Sequence, residues 1–359
     1  MKAIIAGGGT GGHLFPGITV ARELLRRYPD AGILFVGAEQ GIEKRIVPTE
    51  GFELETLPIG GLKRVNWTRR MRNLVAIVVA VFSSMRILAR FEPDVVVGVG
   101  GYASFPMVGA AIIKGLPRVI MEQNVLPGLA NRVLGRGVDF AAVADERAAR
   151  YFPRHAVVTG NPIRSEFKTI GPKEHRPPYT VLIFGGSQGA QSINLALIEA
   201  LEILSGWRDR LMFVHQAGAG QLAEVRSAYQ AAGFKARVQD FFDQFDQEYA
   251  AADLIISRAG ATTVEEIKAS GRAAILIPLP FAADDHQRRN ARAMVEESAA
   301  VMIDENDLNG SRIAGEIVRL FEDLDGLRQM ETNARNLAIL DAESRIVDLI
   351  ESAIEKRRR

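Results

Sequence analysis

The chain has 359 residues, no cysteine and a formal net charge of +1. These facts exclude disulfides, thiolate metal sites and an overall electrostatic commitment to nucleic acid. Hydrophobic content of 47% and charged content of 24% are ordinary for globular chains, and the length favours two domains over one.

A first strand is expected over residues 2–6. It begins at Lys2, which leaves no room for a secretory signal and points to a cytoplasmic protein. Then comes Gly7-Gly8-Gly9-Thr10-Gly11-Gly12-His13, with five glycines in six positions. A helix is expected from about Pro16 to Tyr28. A glycine turn between strand and helix lets a ligand approach bare amides at a helix N-terminus. Gly7, Gly9 and Gly12 also fit the dinucleotide pattern G-x-G-x-x-G, whose partner is an acid about 20 residues further on. Glu39 lies 27 residues after Gly12 and beyond Gly37, so a nicotinamide dehydrogenase is the weaker reading. His13 is the candidate general base. An unperturbed imidazole titrates at about 6.5. The polarised helix N-terminus favours its neutral, proton-accepting form. The competing reading is a capping or packing histidine.

Strands follow at 32–37, 94–99, 117–121, 138–143 and 156–159, with helices near 71–90, 104–114 and 126–135. This alternation implies a mostly parallel sheet covered on both faces. Between Thr56 and Phe91 lie seven cations and no anion, around the nine-residue apolar run Leu74–Phe82. Crossing a bilayer takes about 20 residues. The run is therefore either a core helix with basic ends or a helix resting on an anionic membrane.

Asn161-Pro162-Ile163-Arg164 and the proline-rich stretch 171–180 read as a connector. The pattern then restarts with a strand at 181–184, the turn "GGSQGA" and a helix over 191–204. Later strands are expected at 211–215, 235–239, 253–257, 273–277 and 299–303. The fold class is α/β, with two doubly wound Rossmann-like domains facing across a cleft. The boundaries are 1–163 and 164–340, with a C-terminal helix, 341–359, packing back on the first domain. The tail Lys356–Arg359 suits a helix C-terminus. Ser187 and Arg164 are placed to hold a diphosphate. Glu265 and Glu266 lie on a helix after a glycine turn, where a carboxylate can accept ribose hydroxyls. One of the two is expected on a solvated face. Asp284-Asp285 reads as charge at a helix N-terminus rather than as a metal site.

"GGGTGGHLFPG", "FVGAEQGIEKRIVP", "GVGGYASFP", "EQNVLPGLAN", "GNPIR", "GGSQGA" and "DDHQRRNA" follow one another from Gly7 to about Ala291. Together they resemble the MurG family of GT-B glycosyltransferases. The resemblance implies inverting transfer of N-acetylglucosamine from UDP-N-acetylglucosamine to the C4 hydroxyl of the muramyl sugar of lipid I, forming lipid II. It implies that Thr10, Gly11 and Gly12 line the donor sugar and acceptor diphosphate, with His13 as base. Asn124 would bond a donor sugar hydroxyl, and Arg164 and Ser187 the UDP phosphates. Phe242, Ala261, Thr262, Thr263 and Glu266 would surround uracil and ribose, and Gln287 would contact the N-acetylglucosamine hydroxyls. Many family members have histidine where this chain has Met121, and glycines where it has Phe105-Pro106.

No cofactor and no obligatory metal are expected, since UDP-N-acetylglucosamine is a substrate. The expected partners are that donor, lipid I and an anionic membrane met through residues 63–90, with no nucleic acid. The implied location is peripheral, on the cytoplasmic face of the bacterial inner membrane, in peptidoglycan synthesis, cell shape and division. Three rivals stay open from the residues alone: another lipid-directed UDP-sugar transferase, a UDP-sugar epimerase and the nicotinamide dehydrogenase. A cleft carboxylate is the alternative base.

Overall fold

The computed structural model describes residues 1–59, 67–186, 188–280 and 285–358, and the side chains of all of these except 67–75 and 358. The chain divides into two compact units, Met1–Arg164 with Ile339–Arg359, and Ser165–Ala338.

The first unit holds strands β1 (Lys2–Gly7), β2 (Gly32–Ala38), β3 (Glu53–Leu57), β4 (Val95–Gly100), β5 (Arg118–Glu122), β6 (Phe140–Val143) and β7 (Ala156–Val158). They form one parallel sheet in the order β3-β2-β1-β4-β5-β6-β7. Its helices are α1 (Gly11–Arg27), α2 (Glu43–Thr49), α3 (Trp67–Phe91), α4 (Ser104–Ile113), α5 (Leu129–Leu134) and α6 (Glu146–Ala149). The central strands are apolar on both faces because helices cover both faces. Ile4, Ala6, Val96 and Ile120 pack with Ala80, Ile87, Met107 and Val108 of α3 and α4. Ala3, Ile5, Val97 and Val119 pack on the other face with Leu14, Ile18, Ala21 and Leu24 of α1. That face is completed by Ile346, Val347, Ile350 and Ala353, from the C-terminal helix Ala342–Arg358. Arg27 holds this helix, donating to Asp348 at 2.6 Å, to Glu351 at 3.1 Å and to the Ser344 carbonyl at 2.9 Å.

Two local readings are corrected. The strand β3 was not expected. It is a half-exposed edge strand carrying Glu53 and Glu55, so it lacks the apolar run of its neighbours. The helix α1 begins at Gly11, five residues before the expected start, and holds Pro16 inside it.

The second unit holds β8 (Tyr179–Phe184), β9 (Leu211–Gln216), β10 (Lys235–Gln239), β11 (Leu254–Ser257), β12 (Ala274–Leu276) and β13 (Val301–Met302). They too are parallel, in the order β10-β9-β8-β11-β12-β13. Its helices are α7 (Ser165–Lys168), α8 (Gln191–Ile203), α9 (Leu222–Ala232), α10 (Phe245–Ala251), α11 (Ala261–Ser270), α12 (His286–Glu296), α13 (Gly310–Glu322) and α14 (Leu324–Asn336), which makes the C-terminal helix α15. Val181, Ile183, Phe213 and Ile256 form its core with Ile193 and Leu197 of α8 and Ile313 and Ile317 of α13.

The stretch 171–180 is anchored in this unit rather than being a loose connector. His175 is buried, with Nδ1 2.8 Å from Asp253 Oδ1 and Nε2 3.0 Å from Glu331 Oε2. Asp253 Oδ2 also accepts from Lys173 Nζ at 2.5 Å and from the Thr180 amide at 2.7 Å. Burial alone would depress the His175 pKa, but its bonds to Asp253 and Glu331 outweigh it and raise the value to about 9. Among the described residues, no helix is long and apolar enough to cross a membrane.

Each sheet runs outward in both directions from its own first strand, so the strand order reverses between β1 and β4 and between β8 and β11. Ligands of doubly wound sheets bind beyond the carboxyl ends of the strands at such points.

Candidate active site

In the first unit the glycine turn lies at the β1–β4 reversal. Gly7, Gly8 and Gly9 have φ of +145°, +131° and +86°, a region that strains any side chain. The turn interlocks with the glycine pair that ends β4. The Gly8 amide donates to the Gly100 carbonyl at 3.1 Å. A β-carbon on Gly7 would overlap the Gly100 carbonyl oxygen, and one on Gly101 would overlap the Gly8 carbonyl oxygen. Several of these glycines thus serve the approach of one backbone to another, and not only the approach of a ligand. Thr10 is the N-cap of α1, in extended conformation, and no acid lies in the first turn. Gly11, Gly12 and His13 form that turn and are half-buried. The helix dipole suits an anionic group there.

His13 Nδ1 lies 3.1 Å from Gln123 Oε1. One residue on, Asn124 donates to Glu122 Oε1 through its amide at 3.0 Å and through Nδ2 at 3.2 Å. Glu122 Oε2 accepts from the Gly128 amide at 3.1 Å and from Asn131 Nδ2 at 2.9 Å. The buried Glu122 carboxylate therefore shapes the "EQN" loop that presents Asn124.

The second unit repeats the device. Gly186 and Gly189, with φ of +94° and +74°, follow β8, and Gly218, with φ of +79°, follows β9. A β-carbon on Gly189 would overlap the Ala217 carbonyl oxygen, and one on Gly218 the Gln188 carbonyl oxygen. Ser187, expected on the diphosphate, lies outside the described residues. The helix α11 starts at the β8–β11 reversal with Gly260 as N-cap and no acid in its first turn, formed by Ala261, Thr262 and Thr263. Glu266 stands four residues after Thr262 and three after Thr263, on the same helical face. The expectation that one of Glu265 and Glu266 faces solvent fails, since each is 7% exposed. Glu265 is paired with Lys268 Nζ at 2.7 Å, an ion pair three residues apart. Phe242 is buried, with the Arg237 guanidinium 4.9 Å from its ring centroid. Gln287, in the first turn of α12, accepts the Leu279 amide at 3.0 Å. Arg164 is half-buried at the end of the first unit.

Residues 3–143 match the glycosyltransferase family 28 N-terminal domain, and residues 180–349 match the corresponding C-terminal domain. A relative from Citrifermentans bemidjiense is 46% identical over 98% of this chain and 99% of its own. One from Myxococcus xanthus is 46% identical over 97% of this chain and 92% of its own. Both are named UDP-N-acetylglucosamine–N-acetylmuramyl-(pentapeptide) pyrophosphoryl-undecaprenol N-acetylglucosamine transferase. The chain belongs to this transferase family. It is a family 28 glycosyltransferase that transfers N-acetylglucosamine, built on the GT-B fold of two Rossmann-like domains. The crystal structure of MurG from Acinetobacter baumannii is similar to it with a TM-score of 0.81 and 30% identity, over 98% of this chain and 99% of that one.

Three residues that order the transferase's turns were not singled out from the sequence. Glu43 is 1% exposed and accepts the Gly9 amide at 2.9 Å and the Ala38 amide at 2.7 Å. The available signal was an acid beyond the second strand, two residues after Gly41. Gln216 donates to the Gly186 carbonyl at 3.0 Å and accepts the Phe242 amide at 3.0 Å, so it joins the "GGSQGA" turn to the aromatic loop. Arg258 donates to the Ile277 carbonyl at 3.1 Å and to Ser192 Oγ at 2.9 Å, and it pairs with Glu305. It braces the loop that precedes α11 against α8.

Proposed function

We propose that the transferase moves N-acetylglucosamine from UDP-N-acetylglucosamine to the C4 hydroxyl of the muramyl sugar of lipid I, in one inverting displacement that makes lipid II. The relatives' names carry the donor and acceptor. In this reading the hydroxyl oxygen bonds to the anomeric carbon as the bond to UDP breaks. The electron pair of that bond leaves with UDP, and the hydroxyl proton passes to His13. Asn124 and Gln287 orient the donor sugar. Thr10, Gly11 and Gly12 offer the amides of the α1 N-terminus to the acceptor diphosphate. Phe242, Ala261, Thr262, Thr263 and Glu266 take uracil and ribose, with Glu266 on the ribose hydroxyls.

The transition state is oxocarbenium-like, as in other glycosyl chemistry. Negative charge grows on UDP as it leaves. The acid-free N-termini of α8 and α11, with Arg164 and Ser187, would meet that charge in place of a metal.

The reading places the protein on the cytoplasmic face of the inner membrane, held peripherally, with roles in cell shape and division. Exposed apolar side chains on three neighbouring elements of the first unit support a membrane surface. Val78, Val79 and Phe82 on α3 are 54%, 47% and 62% exposed. Ile113 on α4, and Leu129 and Val133 on α5, are exposed as well. Of the cations expected to accompany them, Lys63 and Arg64 and the side chains of Arg69, Arg70 and Arg72 lie outside the described residues.

The observation that carries the reading is near-full-length identity to the named transferases. The test incubates purified protein with radiolabelled UDP-N-acetylglucosamine, with and without a lipid I analogue. Label should enter a lipid product only when the acceptor is present. Conversion of the donor without acceptor would instead mark an epimerase.

A further inference from the structure

We propose that Gln123 fixes the tautomer of His13, so that Nε2 is the atom that takes the proton. The inference rests on the reading of His13 as the base. Gln123 directly follows β5 and is buried. Its Nε2 donates to the Val99 carbonyl of the neighbouring strand β4 at 3.0 Å. A carbonyl oxygen only accepts, so the amide nitrogen of Gln123 must face Val99. Its amide oxygen then faces His13, 3.1 Å from Nδ1. That oxygen also only accepts, so a neutral His13 carries its proton on Nδ1 and its lone pair on Nε2.

The ring is held from a second side. A β-carbon on Gly100 would stand 2.6 Å from His13 Nδ1 and 2.8 Å from Cε1. The imidazole therefore sits over bare backbone, with Gln123 at one nitrogen. When the acceptor hydroxyl gives its proton to Nε2, the Nδ1–H bond to Gln123 persists in the imidazolium. No side chain has to turn during the step. Without the Gln123 oxygen the form protonated on Nδ1 loses the acceptor that favours it, and the form protonated on Nε2 cannot accept there. Gln123 is thus a positioning residue whose effect belongs to turnover and not to donor binding.

The test uses the full chain with nitrogen-15 histidine, and long-range proton–nitrogen spectra recorded where His13 is neutral. The His13 signals are those lost in His13→Ala. Wild type should show a protonated Nδ1 and a bare Nε2. In Gln123→Met, which keeps length but removes the amide, the His13 pattern should shift toward protonated Nε2. Its kcat with a lipid I analogue should fall about 10–10²-fold, less than the full general-base contribution of about 10²–10⁴-fold because the base itself is kept. KM for UDP-N-acetylglucosamine should change by less than about 3-fold, because ground-state binding is not lost. A wild-type His13 protonated on Nε2 overturns the proposal whatever the variant does. An unchanged His13 pattern in Gln123→Met overturns the role of Gln123. A shifted pattern with unchanged kcat shows instead that His13 is not the base, which separates failure of that reading from failure of this one.

Discussion

Glu43 holds the glycine turn at Gly9: its Oε2 accepts the Gly9 amide at 2.9 Å while Oε1 accepts the Ala38 amide at 2.7 Å. The carboxylate fills the space left by three glycines, since β-carbons on Gly8, Gly37 or Gly41 would all overlap it. This contact takes the Gly9 amide for the protein itself. Removing the side chain strands the buried Ala38 amide and the half-buried Gly9 amide, each worth roughly 1–3 kcal/mol when bonded to a charged group. Glu43→Ala should therefore lower unfolding free energy by about 3 kcal/mol in a denaturant titration. It should also reduce turnover on a lipid I analogue, because the turn before His13 loses its clamp. A variant with wild-type stability would show that the turn holds itself.

Glu265 and Glu266 are adjacent and equally buried, yet they should fail differently. Glu266 shares a helical face with Thr262 and Thr263. Glu266→Ala should weaken UDP binding by roughly 1–3 kcal/mol, the worth of charged hydrogen bonds to a ribose. Glu265 neutralises the buried Lys268. Glu265→Ala leaves that ammonium unpaired and should cost about 3 kcal/mol of stability, with UDP affinity nearly kept. Calorimetry and melting of both variants check the pair. Unchanged UDP affinity in Glu266→Ala would remove Glu266 from the site.

The His175 network should make stability fall at alkaline pH. Its folded pKa is raised to about 9, above an unfolded value of about 6.5. A raised cationic group contributes stability that is fully present below about pH 6.5 and is lost as pH rises through about 9. The unfolding free energy of wild type should decline across that window. His175→Asn should be less stable than wild type at pH 6 and should show a flatter pH dependence. Parallel curves for the two proteins would show that His175 does not carry the linkage.

What could be read in the sequence followed from local chemistry. The central strands were legible because burial on both faces leaves runs such as Val95-Val96-Val97. The edge strand β3 was not, because half of it meets solvent and it alternates Glu53, Glu55 and apolar residues. The glycine turns were legible as turns, but their partners were not. Gly101 meets Gly8 and Gly218 meets Gln188 only after the strands pair. Gln123 and Gln216 were silent for the same reason, since each bonds backbone groups from a neighbouring strand or loop. The stretch 171–180 looked like a linker because prolines and charges dominate it. Its single histidine and Lys173 converge on Asp253, some 80 residues away, which no local pattern announces.

The final prediction concerns the membrane surface proposed for the first unit. On α3 the exposed residues Val78, Val79 and Phe82 lie on one side, while Ala80, Ile87 and Leu88 are buried in the core. The apolar run is thus divided between a core face and an outer face, so the two readings of this segment are not exclusive. Leu129 and Val133 of α5, four residues apart on one side of that helix, are exposed as well. Such side chains can enter a lipid interface, and nearby Lys and Arg each add about 1 kcal/mol at an anionic surface. Salt screens the ionic part and leaves the apolar part. Binding to vesicles should therefore rise with phosphatidylglycerol content and fall, without vanishing, as salt increases. Reversing Arg69, Arg70 and Arg72 to Glu should remove most of the salt-sensitive part. Phe82→Ser combined with Leu129→Ser should remove much of the residual binding at high salt. Both sets should keep UDP affinity and turnover of a water-soluble lipid I analogue, since neither includes a residue of the glycine turns. Flotation in which wild type and both variants bind anionic vesicles equally would end the proposal, and the outer face would then be ordinary exposed apolar surface.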